Sequence, residues 1–351
     1  MKSVENLKKL NEGKYGFSQI GKALTIYPRN HEHFNKIIQE IHLLTRKFSS
    51  VSIPSDYRYF NSDCVFYRYG NLTVDDSSQN EQQKDMRISL KEKQMNELPF
   101  SIDRNCNHLQ SIMIIKSIAS RGKSAVFQAI DIKNKKLVLV KKGIKNGEYS
   151  GDNIDGSFLA LNEVIMSKRL SQSPTVPAIR NVWLDNEDCF FIREYCKGET
   201  LEQLLIQNNI SKADVKYIFD SGWELVKHAH NNEIVINDIS LSNFIYDKNK
   251  KTLKFIDFEF AYEKSDSFIQ QLISHIFTPG FGVIGLEGYS KDNYAFLKLI
   301  YFLNNRNEYM KLRNDNIYRL SDTIEKKIMK LTDECVIRDR DVNLFNRITS
   351  L

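Results

Sequence analysis

The stretch IVINDISLSNFIY at 234–246, followed by FIDFEFAY at 255–262, decides how this chain is read. Asp238 and Asn243 stand five residues apart, and Asp257 follows Asn243 by fourteen, directly behind an apolar strand-like run. Asn243 and Asp257 offer the hard oxygen ligands that Mg2+ prefers. Asp238 offers a carboxylate able to accept a proton.

Upstream, SIMIIKSIASRGKSAVFQAIDIKNKKLVLVKKG at 111–143 alternates as strand, turn, strand, turn, strand, with Asn134 and Lys135 in the last turn. Its final strand ends on two lysines, Lys141 and Lys142. Successive side chains on a strand point to opposite faces, so one of the two faces a cleft; Lys141 is the preferred one. The stretch FLALNEVIMSKRL at 158–170 predicts a helix that places Glu163 to pair with that lysine. A hairpin around LDNED at 184–188 leads into FFIREYCKGETLEQLL at 190–205, in which Gly198 ends the strand before a helix. From there the pattern is mostly helical. Sheet first and helices afterwards predicts an α+β class with a cleft between two lobes.

Phosphoryl transfer from ATP needs a cover over the phosphates, a cation on them, oxygen ligands for magnesium and a carboxylate at the attacking hydroxyl. An isolated lysine at a strand end is usually solvated, and an isolated Asp-Phe pair is usually a turn beside a core aromatic. Here the candidates occur together and in the order of a protein kinase, whose bilobal fold the region resembles. Asp238, Lys141 and Glu163 are the catalytic set, and Asn243 and Asp257 the metal set. Gly122, Lys123, Ser124, Val126, Lys141, Glu194 and Cys196 are the nucleotide-binding set. The phosphate cover is the least typical part, because SIASRGKSAVFQA at 117–129 keeps one glycine, Gly122.

Two departures from ordinary protein kinases narrow the resemblance. Ile236-Asn237-Asp238 stands where those enzymes carry His-Arg-Asp, and Asp257-Phe258-Glu259 stands for Asp-Phe-Gly. Without that arginine, a phosphorylated activation segment loses its usual counter-charge. The pattern Asp-Ile-Ser-x-x-Asn followed by Ile-Asp-Phe-Glu-x-Ala-Tyr-Glu resembles the kinase domain of class III lanthipeptide synthetases. GKALTIYP at 21–28, IPSDYRYF at 53–60 and CVFYRYG at 64–70 are similar to the later part of the phosphoserine/phosphothreonine lyase domain of the same family. That resemblance implies ATP and Mg2+ as cofactors and a ribosomal precursor peptide as substrate. It also implies a phosphopeptide-binding set of Lys22, Arg58 and Arg68. The lysine and histidine that the family uses for elimination belong to a segment ahead of residue 6, so lyase activity is not expected from this chain alone; a separate lyase or cyclase protein is an expected partner. The cysteines and histidines form no cluster of the cyclase zinc type.

The expected organisation is a smaller α+β lyase-like domain over 1–75, a polar linker or lid over 76–107 and a kinase-like domain over 108–351. In the first of these, residues 30–48 carry Phe34, Ile37, Ile38, Ile41 and Leu44 at helical spacing, and ALTIY at 23–27 alternates as a strand would. The bulk properties fit this plan. With 50 basic and 44 acidic residues the formal charge is +6, too mild a bias to predict a nucleic-acid partner. Five cysteines without a Cys-x-x-Cys pair suit a reducing, cytoplasmic setting, and no apolar run is long enough to span a membrane. Two other functions fit the same motifs: a small-molecule kinase of the aminoglycoside type, and a pseudokinase serving as scaffold or leader-peptide receptor.

Overall fold

The computed structural model describes residues 3–53, 55–68, 70–73, 84–87, 111–150, 154–185, 187–283, 285–315, 319–337 and 343–351. The N-terminal part holds helices α1 (Val4–Asn11) and α2 (His31–Thr45), capped by Ser3 and Asn30, and the short strand pair β1 (Tyr57–Arg58) and β2 (Phe66–Tyr67). Ile38 on α2 packs with Tyr59, Val65 and Tyr67 into a small core, as the spacing of its apolar residues predicts. The strand expected at 23–27 is absent. Leu24 and Ile26 are exposed there, so the alternation has no apolar layer to face. The polar stretch 76–107 lies outside the described residues, apart from strand β4 (Lys84–Arg87), which pairs with β3 (Gly70–Thr73).

The next unit is a five-stranded antiparallel sheet of β5 (Ile112–Ser120), β6 (Ser124–Asp131), β7 (Lys136–Gly143), β8 (Ile179–Asp185) and β9 (Asp188–Glu194), in the order β5-β6-β7-β9-β8. Local hairpins account for three of its four pairings, which is why the alternation was readable. One face carries Ile112, Ala129, Val138, Val140, Phe190 and Ile192. The other receives helix α3 (Gly156–Arg169), whose Ala160 and Val164 pack on Cys189 and Phe191. Asp155 caps α3 through the Phe158 amide at 2.9 Å. The approach is close enough that a Cβ on Gly143 would lie 2.0 Å from the Gly156 carbonyl, and one on Gly156 would lie 1.6 Å from that of Lys123. Glycine at both positions therefore sets the depth at which α3 seats Glu163 under the sheet.

The helical lobe follows: β10 (Glu199–Thr200), α4 (Leu201–Ile206), α5 (Lys212–Asn231), β11 (Ile234–Val235), β12 (Phe244–Asp247), β13 (Thr252–Phe255), β14 (Tyr262–Glu263), α6 (Ser267–Ile273), α7 (Gly288–Asn304), α8 (Arg306–Asn314), α9 (Asp322–Ile337) and α10 (Leu344–Thr349). Its core runs from Leu170 through Leu225, Phe244, Phe255 and Phe258 to Phe296, Ile300 and Ile328. Strands β12 and β13 form a hairpin, so Asn243 before it and Asp257 after it emerge at the same end. The α+β order expected from the pattern is the observed fold.

The N-terminal part touches the sheet at the end where β5 turns into β6. Asn11 accepts from the Tyr149 amide at 3.2 Å, and the Ser52 amide donates to the Asn146 carbonyl. Ile20 is fully buried, and its Cδ1 lies 2.7 Å from where a Cβ on Gly122 would stand.

Candidate active site

A cleft of about 1180 Å³ opens between the sheet and the helical lobe, lined by Lys123, Ser124, Val126, Lys141, Cys196, Asp238, Asn243 and Asp257 among others. These side chains come from positions up to 134 residues apart, and the fold brings them to one wall system. Lys141 Nζ stands 2.5 Å from Glu163 Oε2, 2.9 Å from Glu259 Oε2 and 3.6 Å from Asp257 Oδ1. Lys142 points to the opposite face, where it pairs with Asp188 at 2.7 Å. Glu163 is buried and also accepts from Arg193 Nη1 at 3.1 Å, while Arg193 donates to the Ile256 carbonyl. Helix α3, strand β9 and the segment before Asp257 are therefore tied through one carboxylate. Arg193 escaped the sequence analysis because a basic residue inside a strand carries no mark of what it faces.

Asp238 Oδ1 accepts from the Thr278 amide at 2.7 Å, and Asn243 Nδ2 donates to the Asp238 carbonyl at 2.9 Å. This bond spends the amide nitrogen of Asn243 and leaves its carbonyl oxygen as the donor atom for a cation. Burial raises Asp238 above the usual carboxylate range, in spite of the Thr278 bond. Burial and the neighbouring Glu259 carboxylate push Asp257 up to about 7. Burial acts on Glu259 in the same direction, but Lys141 and Lys123 outweigh it and hold Glu259 down at about 2. Burial likewise tends to lower Lys141, and the Asp257, Glu163 and Glu259 carboxylates overcome this and keep it charged.

Glu259 is the residue whose role the sequence did not disclose. Besides Lys141 it pairs with Lys123 at 2.6 Å, so both cations of the phosphate end converge on it. Asn162 of α3 holds the backbone beside it, donating to the Glu259 and Ala261 carbonyls at 3.0 and 2.8 Å. Carboxylate oxygens of Glu163, Asp257 and Glu259 lie within 4.8 Å of one another. The Glu163 and Glu259 oxygens are already taken by Lys141, Arg193 and Lys123, so the oxygen atoms left in the cleft for a hard cation are those of Asp257 and the side-chain oxygen of Asn243.

Two expectations need correction. Gly122 does not line the cleft: it is buried beneath Ile20 and Glu148, and its carbonyl accepts from the Glu148 amide at 3.0 Å. Nor does Glu194, whose amide donates to the Ala178 carbonyl at 2.8 Å and whose side chain pairs with Lys254; Tyr195 and Cys196 form the wall there. In the N-terminal part, Lys22 is buried in an ion pair with Asp56 at 3.1 Å, and Arg58 pairs with Asp63 at 2.8 Å. Both cations have acidic partners within the domain. Arg68 is half-buried beside β2 and has its own partner interactions.

Residues 112–281 match the protein kinase domain family model, and residues 1–97 match the model described as the RamC N-terminal domain. Serine/threonine-protein kinase PrkC of Bacillus subtilis is 25% identical over 189 residues, which are 52% of this chain and 28% of that protein. Serine/threonine-protein kinase B of a Synechocystis strain is 22% identical over 134 residues, 38% of this chain and 23% of its own length. The chain thus spans about a quarter of the length of the curated relatives it matches. Among the described residues, no helix is long and apolar enough to cross a membrane.

Proposed function

We propose that this chain is an ATP- and magnesium-dependent Ser/Thr phosphotransferase acting on hydroxyls of a ribosomally made precursor peptide, in biosynthesis of the lanthipeptide type. The observation that carries it is the convergence of the Lys141–Glu163 pair with Asp238, Asn243 and Asp257 on one cleft. The match of residues 1–97 to the RamC N-terminal domain supports the choice of a peptide as acceptor.

Lys141, held by Glu163, places a fixed charge against the nucleotide phosphates, and Lys123 adds a second from the loop above. Asn243 and Asp257 would hold magnesium, which supplies positive charge to the phosphate oxygens. Asp238 accepts the hydrogen of the acceptor hydroxyl and takes its proton as the oxygen attacks, and its raised proton affinity suits a base. Cys196 and Val126 line the cleft where the adenine is expected.

The reading is tested by incubating the chain with ATP, Mg2+ and a Ser/Thr-rich precursor peptide encoded beside it. The peptide gains phosphate by mass spectrometry without losing water, and chelation of the metal stops the gain. Transfer to an aminoglycoside or other small hydroxyl compound with none to peptides would reject the acceptor assignment.

Glu259 makes a separate prediction. Nucleotide phosphates must compete with its carboxylate for Lys123 and Lys141. Glu259→Gln therefore binds ADP in metal-free buffer about tenfold more tightly than wild type, a gain on the order of 1.4 kcal/mol. Calorimetric titration in excess chelator measures it, and equal or weaker binding would show that Glu259 does not compete with phosphate.

A further inference from the structure

The residue ahead of Asp238 is Asn237, where the related kinases carry arginine, and the structure gives it different work. Asn237 is buried, with a left-handed backbone (φ 71°). Its Nδ2 donates to the Ile273 and Ile276 carbonyls at 2.9 and 3.1 Å, and its Oδ1 accepts from Lys291 Nζ at 2.6 Å. Lys291, on the first turn of α7, is also buried; it donates to the Ser274 carbonyl and its ammonium stands 4.6 Å from the Phe277 ring centroid. The next residue, Asp292, accepts from the Ile236 and Asn237 amides at 2.7 Å each. Two adjacent residues of one helix thus hold both the backbone ahead of Asp238 and the segment 273–278. That segment then delivers the Thr278 amide to Asp238.

We propose that Lys291, acting with Asn237, is a positioning residue for the phosphotransfer reaction: it anchors the 273–278 segment so that the Thr278 amide fixes Asp238. The proposal rests on the function given above. Activation segments of kinases are ordered when a phosphate on the segment finds a cation of the fold. Here the cation reaches the neutral Ser274 carbonyl directly, and the Ile273 and Ile276 carbonyls through the Asn237 amide. A buried ammonium with carbonyl, amide and aromatic partners is satisfied in place, and the tie needs no phosphate on the segment.

Two variants test it, Lys291→Met, which keeps an apolar side chain of similar length in the buried space, and Asn237→Gly, which removes the amide while tolerating the positive φ. Each is compared with wild type by hydrogen exchange and by transfer kinetics. Amides of 273–278 exchange at least about tenfold faster in both variants while those of α3 are unchanged. The kcat for peptide phosphorylation falls at least about tenfold with the KM for ATP held within about twofold. Wild type treated with a phosphatase, and shown by intact mass to carry no phosphate, keeps its rate. Unchanged exchange in a folded variant, an unchanged kcat, or loss of the wild-type rate on dephosphorylation overturns the proposal. If wild type transfers no phosphate at all, the functional reading fails, and the exchange comparison alone still decides whether Lys291 anchors the segment.

Discussion

Asp238→Asn lowers the rate of phosphate transfer to a peptide hydroxyl by about 10²–10⁴-fold, the range expected for loss of a general base, and leaves the melting temperature at or above that of wild type. The substitution keeps the shape of the side chain. Its Oδ1 still accepts from the Thr278 amide, and the Asp238 carbonyl still accepts from Asn243. What disappears is the ability to take a proton, together with the long bond that Asp238 Oδ2 accepts from Asn243 Nδ2 at 3.3 Å. Stability moves the other way because burial raises the proton affinity of Asp238. A carboxylate whose folded pKa lies above its unfolded value is held ionised at neutral pH at a cost, and a neutral amide removes that cost. The Michaelis constant for ATP stays near the wild-type value, since Asp238 addresses the acceptor and not the phosphate-binding lysines. Initial rates followed by mass spectrometry, with thermal melts of both proteins, check the three outcomes together. A rate within tenfold of wild type would remove Asp238 from the role of base.

The parts of this site that could be read in the sequence are those fixed by local periodicity. The choice between Lys141 and Lys142 is one of strand alternation: Lys141 shares its face with Leu139 on the cleft, and Lys142 goes to Asp188 behind it. Glu163 was accessible for the same reason, since α3 runs as a regular helix beneath the sheet. Asn243 and Asp257 bracket a hairpin, so their nearness follows from a short antiparallel turn. The features that were not readable depend on contacts across long separations. Asp292 holds Ile236 from 56 residues away, and Lys123 meets Glu259 from 136 residues away. Neither distance leaves a periodic trace. Gly122 shows the difference within one loop: its sequence context suggests a phosphate turn, but Ile20 from the N-terminal part and Glu148 enclose it. The Lys22–Asp56 pair also joins positions well apart in the chain, 34 residues from one to the other. The strand expected at 23–27 fails likewise, because alternation predicts a strand only where a second layer exists to bury one face.

Lys141→Met carries the largest expected effect on stability. Around the ammonium stand Glu163 and Glu259, whose side chains are 1% and 6% exposed, and the partly exposed Asp257. Arg193 still compensates Glu163 and Lys123 still compensates Glu259 after the substitution, but the central charge shared by all three carboxylates is gone. Removing one partner of a buried ion pair costs about 3–5 kcal/mol, and with Arg193 and Lys123 still in place the lower end, about 3 kcal/mol, applies. For a domain of this size that is a fall in melting temperature on the order of 10 °C. The pH dependence identifies the cause. Without Lys141, which lowers both Asp257 and Glu259, these two carboxylates gain proton affinity in the folded state relative to the unfolded one, so the variant's stability rises as pH falls. In wild type, Glu259 is held at about 2 by its lysines and stays ionised throughout. The gap between the two proteins is therefore widest above pH 7, where Asp257 with its value of about 7 is also ionised, and narrows toward pH 5. Thermal melts of both proteins between these limits measure it. A gap that stays constant with pH would assign the loss to packing around the lysine stem instead of to its charge, and a variant as stable as wild type at pH 8 would show that the folded carboxylate cluster does not need the Lys141 charge at its centre.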